Sequence, residues 1–172
     1  MGKIMEAIFC VLYIITVIVL GFMTVKKGKT NKEHLMYGIS SLVLVFGDSF
    51  HLVPRIFAAI DRAGDYTVSL GIGKMITSIT MTLFYLILYF IYSMRYEYKK
   101  TRMTVCMCIL AAVRIALCFM PQNDWTGEAP VLWGIYRNIP FAIMGIIMIV
   151  LGIAIIAVPF VMRVMDDKRS QD

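Results

Sequence analysis

Charge is scarce in this chain: Asp, Glu, Lys and Arg make up 16% of its 172 residues, where a soluble globular domain carries about a quarter. With 60% hydrophobic residues and a mean hydropathy of +0.79, there is too little polar surface for a domain in water, and the composition points to a bilayer. The formal net charge of +6 would suggest nucleic acid in a soluble protein. Here the basic residues gather at the ends of apolar runs, where topology determinants sit, so no nucleic-acid partner is expected. Histidine is nearly absent, and of the two present only His51 lies within an apolar run, which leaves no multi-histidine zinc centre. The four cysteines, Cys10, Cys106, Cys108 and Cys118, all fall in apolar segments. There a thiol acts as a small hydrophobe, with neither disulfide nor zinc spacing. No redox motif, repeat or low-complexity tract is visible, so neither cofactor nor metal is expected.

What the sequence has instead is long apolar runs. A helix needs about 20 apolar residues to cross the hydrocarbon core, and five stretches qualify: roughly 4–25, 34–60, 68–93, 103–120 and 132–165. The first is too long for a signal h-region and has no small-residue cleavage site after it, so it reads as a retained span. Glu6 occupies the place where a myristoylation pattern needs Ser or Thr. The fifth is long for one helix and short for two, and reads as one tilted helix with Pro140 and Pro159 near its ends. The expectation is a single all-α integral membrane domain over residues 1–172, a polytopic bundle in the cell membrane. "KKGKTNKEH" carries four lysines, "RYEYKKTR" four basic residues and "PQNDWTGEAP" none. The positive-inside rule then sets the N-terminus outside and the C-terminus in the cytoplasm.

That direction gives each intramembrane polar residue a depth. "FGDSFHLVPRI" puts Asp48, His51 and Arg55 on one face of span two, from its middle to its outer end, with Ser41 and Tyr37 below. Lys74 lies in the outer half of span three, with Ser78 and Tyr85 further down that face. Arg114 lies near the outer end of span four, and "YRNIP" sets Arg137 and Asn138 at the mouth of span five. An ionised side chain at mid-membrane costs about 2.5–3.5 kcal/mol on insertion scales, so such groups need partners. One carboxylate, Asp48, cannot neutralise Arg55, Lys74, Arg114 and Arg137. Arg55 and Arg137 are near enough to the surface to snorkel; Arg114 and Lys74 are not. Asp48 is expected to anchor one or two cations, an arginine among them, with Pro54 kinking the helix to open room beside the cluster.

The leading functional expectation is recognition of an anionic small molecule or lipid head group in an outward-facing positive cavity, by a transporter, binding subunit or sensor. Asp48, His51, Arg55, Lys74, Ser78, Arg114, Arg137 and Asn138 would form the site, with arginine offering a bidentate fork to carboxylate or phosphate. A membrane-embedded lipid hydrolase using Asp48 and His51, with Ser78 as nucleophile, is the alternative. A third reading is a structural subunit of a homo- or hetero-oligomer whose charges pair with each other or with a partner. Plainer roles compete at each position: a structural ion pair for Asp48, a satisfied buried histidine for His51, and helix back-bonding for "TSITMT", Thr77 to Thr82. Tyr85, Tyr89, Trp125 and Trp133 read as packing or interfacial residues. "PQNDW" reads as a turn and cap in which Asn123 or Asp124 takes up free amides.

The strings "FGDSFHLVPRI", "GKMITSITMTLFYLILY", "RIALCFMPQNDW" and "YRNIPF" together resemble a family of small bacterial polytopic membrane proteins of uncharacterised function, over residues 34–145. The resemblance implies a multi-pass fold and brings no activity. It also implies further spans after the equivalent of Asp172, so that this sequence reads as a shortened form. Gly47-Asp48 in span two followed by Tyr85 in span three is similar to the lysoplasmalogenase type of membrane hydrolase, whose later acidic motif has no counterpart here.

Overall fold

The computed structural model describes residues 2–28, 31–61, 64–97, 101–127 and 130–169. Five helices follow one another: α1 (Gly2–Lys27), α2 (Lys32–Ile60), α3 (Thr67–Arg95), α4 (Thr101–Cys118) and α5 (Val131–Arg169), with a 3₁₀ turn at Pro121–Asn123 between the last two. All five are long and apolar enough to cross a membrane, and among the described residues there is no strand. The apolar runs become helices because only a helix satisfies every backbone polar group internally in lipid. The ends are set by polar residues. Asn31 Oδ1 accepts the Glu33 N–H at 2.9 Å to start α2, Asp65 Oδ1 accepts the Thr67 N–H at 3.0 Å to start α3, and Lys26 and Lys27 close α1. The fifth run is one continuous helix through both prolines.

The helices do not close into a ring. α2 packs between α1 and α3, while α3 also meets α4 and α5, which pack on each other. α3 therefore joins an α1–α2–α3 half to an α3–α4–α5 half. Consecutive helices run antiparallel: Glu6 meets Arg55 across α1–α2, Gly47 meets Thr80 across α2–α3, and Tyr89 meets Thr104 across α3–α4. That alternation gathers Glu6, Arg55, Lys74, Arg114 and Arg137 at one end of the fold and the ends of helices at Lys27, Lys32, Arg95 and Thr101 at the other.

Lipid tails are as apolar as leucine, so helices in a bilayer associate through close packing and interhelical hydrogen bonds. The α2–α3 seam uses both. A Cβ added at Gly47 would overlap the Thr80 side chain, and the Gly47 carbonyl accepts the Thr77 hydroxyl at 3.0 Å. α2 continues through Pro54 to Ile60. Proline has no N–H to give the carbonyl four residues back, and that carbonyl, of Phe50, lies where a Cβ on Gly73 of α3 would sit. The carbonyl freed by Pro54 is thus pressed against α3, and a cavity of about 320 Å³ lined by Ser49, Phe50, Val53 and Pro54 opens beside the proline. The tightest core belongs to the other half, where Tyr89 of α3, Met107 and Ala111 of α4, and Met144 and Leu151 of α5 bury one another.

Candidate functional site

Arg114 is the most deeply buried charge among the described residues, 4% exposed, in the last turn but one of α4. Its guanidinium sits over the Phe141 ring of α5, with Cζ 3.6 Å from the ring centroid. Phe141 is held in turn by Tyr85 of α3, edge-to-face at 4.8 Å. The stacking face is a favourable place for a delocalised cation, yet the edge of the guanidinium, where its donors point, is poorly served. Arg114 Nε and Nη1 are buried without a hydrogen-bond partner. Cys118, one turn on, is within reach of the guanidinium, and a thiol is only a weak acceptor.

Arg137 of α5 reaches the same helix end from the opposite side: Arg114 lies in its electrostatic field, and the Cys118 thiol lies in the field of both. It sits over the Trp125 ring, Cζ 4.0 Å from the centroid, and its Nη1 donates to Asn123 Oδ1 at 2.8 Å. Its Nε is buried and unpartnered. Asn123 and Trp125 are fixed by the end of α4. The Asn123 Nδ2 donates to the Leu117 carbonyl at 2.6 Å and the Met120 carbonyl at 2.9 Å, and Trp125 Nε1 donates to the Cys118 carbonyl at 2.9 Å. The chain can settle here because α3 offers Gly71, where any Cβ would overlap the Trp125 carbonyl. Two like charges are thus held at the end of α4, each over an aromatic ring, and among the described residues no carboxylate is bonded to either.

The remaining sequence candidates divide differently from the expectation. Asp48 accepts the Tyr13 hydroxyl of α1 at 2.7 Å. The two ion pairs among the described residues are Arg55 with Glu6 and Arg95 with Glu33, so Asp48 is not the anchor of an arginine. Geometry is the reason: α2 presents Asp48 towards α1 while Gly47 faces α3, and α2 has no substantial packing against α4 or α5. Arg55 is supplied with a carboxylate by Glu6 of α1. His51 lies over Gly73, in the field of Arg55, Lys74 and Asp48, and its Nδ1 is buried without a partner. Lys74 is exposed, and the Ser78 hydroxyl donates to the Lys74 carbonyl of its own helix at 2.8 Å. Asn138 is exposed on a different face of α5 from Arg137, beside Ile135 and Ile139. Of the eight candidates, Arg114 and Arg137 come together on the α4–α5 side. Asp48, His51, Arg55 and Lys74 cluster on the α1–α2–α3 side.

Several residues of consequence carried no functional expectation: Tyr13, Cys118, Asn123, Trp125 and Phe141. The expectation was that Asn123 or Asp124 takes up free amides; the Asn123 Nδ2 adds a second donor to the Leu117 and Met120 carbonyls, and its oxygen accepts from Arg137. The available signal was the closeness in sequence of "NDW" to Arg114 and Arg137. Thr80 and Thr82 bond back to carbonyls of α3, the plainer of the roles considered for them. Among the described residues no group of three His, Cys, Asp or Glu is placed to hold a metal ion. Comparison of the chain with protein-family models, with curated proteins and with solved structures finds no match.

Proposed function

We propose that this multi-pass membrane protein recognises an anionic group, a carboxylate or phosphate on a small molecule or lipid, on Arg114 and Arg137. The observation that carries this reading is the set of three buried guanidinium nitrogens without acceptors, Arg114 Nε and Nη1 and Arg137 Nε, on two cations to which no carboxylate is bonded among the described residues. An unsatisfied buried donor costs about 1–3 kcal/mol, and more on a charged group. An anion with several oxygens would satisfy those donors and relieve the repulsion between the two arginines together. The Pro121–Asn123 turn and Trp125 cap the pair, so the anion would approach beside Arg137, the less buried of the two. Positive-inside topology sets this end outside the cell membrane, and the site would then face outward.

The alternative chemistry lacks an assembled machine. Asp48 is bonded to Tyr13 and Ser78 to its own helix, and no hydrogen bond links either to His51.

The test is thermal unfolding of the purified protein with inorganic phosphate, short carboxylates and glycerophosphates. At least one should raise the melting temperature of the wild type and leave both Arg114→Gln and Arg137→Gln unmoved. A panel without effect on the wild type, or an undiminished shift in Arg114→Gln, overturns the proposal.

A further inference from the structure

At the end of the fold opposite the arginine pair, a cleft of about 240 Å³ opens over α3 between α2 and α5. Its walls are Tyr37 of α2, Leu88, Tyr92, Arg95 and Tyr96 of α3, and Met148 and Gly152 of α5. The cleft exists because α2 and α5 both flank α3 without packing substantially on each other, and because Gly152 puts no side chain into it; a Cβ there would meet nothing within 4 Å. We infer that this cleft is a binding site for an anionic phospholipid, the phosphate held at Arg95 and an acyl chain lying along Leu88, Met148 and Gly152.

Charge complementarity points to that occupant. The two connections at this end, residues 26–34 and 95–102, carry eight lysines and arginines against two carboxylates, Glu33 and Glu97. A basic pocket between membrane helices, at the side with the basic loops, is the recurring form of an anionic head-group site. Among the described residues, Arg95 is the cation that lines the cleft itself. Its contact with Glu33 is 3.4 Å long between part-exposed groups, longer than a usual charged hydrogen bond. Such a surface pair holds the guanidinium weakly and leaves donors for a phosphate. The tyrosine rings sit at the depth of the basic loops, where amphipathic aromatics suit the junction of head groups and chains. Below them the lining turns apolar, with Leu88 and Met148 continuing towards the middle of the helices. Polar above and apolar below is the profile of a lipid rather than of a soluble anion.

Binding is read by native mass spectrometry of the full chain in detergent, delipidated and then mixed with phosphatidylglycerol, phosphatidylcholine or glycerol phosphate. Phosphatidylglycerol should bind at least fivefold more tightly than phosphatidylcholine, and glycerol phosphate should not bind at the same concentrations. Arg95→Gln should weaken phosphatidylglycerol by about fivefold, the size expected for one basic residue near an anionic head group. Gly152→Leu, which fills the cleft without touching the charge, should weaken both phospholipids. Circular dichroism and monodisperse elution establish that both variants fold, and Gly134→Ala, near the start of α5 with nothing within 4 Å of its added methyl, should bind phosphatidylglycerol as the wild type does. Equal binding of the two phospholipids, or folded Arg95→Gln and Gly152→Leu variants that both bind phosphatidylglycerol as the wild type does, overturns the inference. Glycerol phosphate binding as tightly as the phospholipid overturns the acyl-chain part of it and with it the lipid as occupant.

Discussion

Replacing Asn123 by alanine tests the construction of the arginine site most directly. The side chain is 1% exposed and works in two directions, donating to the Leu117 and Met120 carbonyls and accepting from Arg137 Nη1. Both carbonyls keep a backbone donor after the change, from the Met120 and Asn123 amides at 3.3 and 3.1 Å, so each lost neutral bond costs only about 0.5–1 kcal/mol. The Arg137 bond is to a charged group and is worth about 1.5–2 kcal/mol, since its loss adds another unserved donor to a guanidinium that already has one. The sum is about 3 kcal/mol. Reversible unfolding in mixed micelles measures it, and a double-mutant cycle with Arg137→Met isolates the charged bond as a coupling of about 1.5–2 kcal/mol. A loss below about 1 kcal/mol with no coupling would show that Asn123 does not support Arg137, and the account of how the turn holds the site would fail.

Three further outcomes follow from other seams. Tyr13→Phe deletes a hydrogen bond to a carboxylate inside the membrane and should cost about 1.5–3 kcal/mol, whereas Asp48→Asn, whose amide oxygen still accepts, should cost less; the same unfolding assay ranks them. Gly47→Ala should destabilise by about 1–3 kcal/mol because its methyl overlaps Thr80, while Gly134→Ala, with nothing within 4 Å, should be neutral or stabilising. The Asp65 carboxyl is held below its ordinary value of 3.8 by the Thr67 N–H that it accepts. A depressed carboxyl stabilises the folded form above its unfolded value, and that contribution is lost as the pH falls through the lower, folded one. Protection of the Thr67 amide against hydrogen exchange should therefore fall below about pH 3.8 and lose that dependence in Asp65→Asn.

Sequence alone was enough for the five helices, because a backbone in lipid has few options and the apolar length of each run states where it begins and ends. It was enough, too, to collect the charges at one end, since an alternating path through the membrane assigns every residue a level. Lateral neighbours were another matter. Level is a property of one helix and its direction; which charge faces which depends on the order in which helices pack and on their rotation. Asp48 was expected to anchor one or two cations of its layer, an arginine among them, yet α2 turns it towards Tyr13, and α3 stands between it and Arg114. Glu6, near the chain's start, became the partner of Arg55 only because α1 lies beside α2.

The same division holds at the arginine pair. The surplus of basic over acidic residues was countable from the sequence, and it set apart Arg114 and Lys74, with Arg137 near enough to the surface to snorkel; that Arg137 joins Arg114 was not legible there. That Phe141 and Trp125 would plate them, and that Asn123 would present its oxygen to one while closing the end of α4 with its nitrogen, was decided by the tertiary structure. Residues 114, 123, 125, 137 and 141 stand on two helices and a turn, and their side chains meet only once Gly71 lets the turn rest on α3. Helix-period patterns carry no term for such an encounter, because it depends on packing between elements rather than on the order of residues within one.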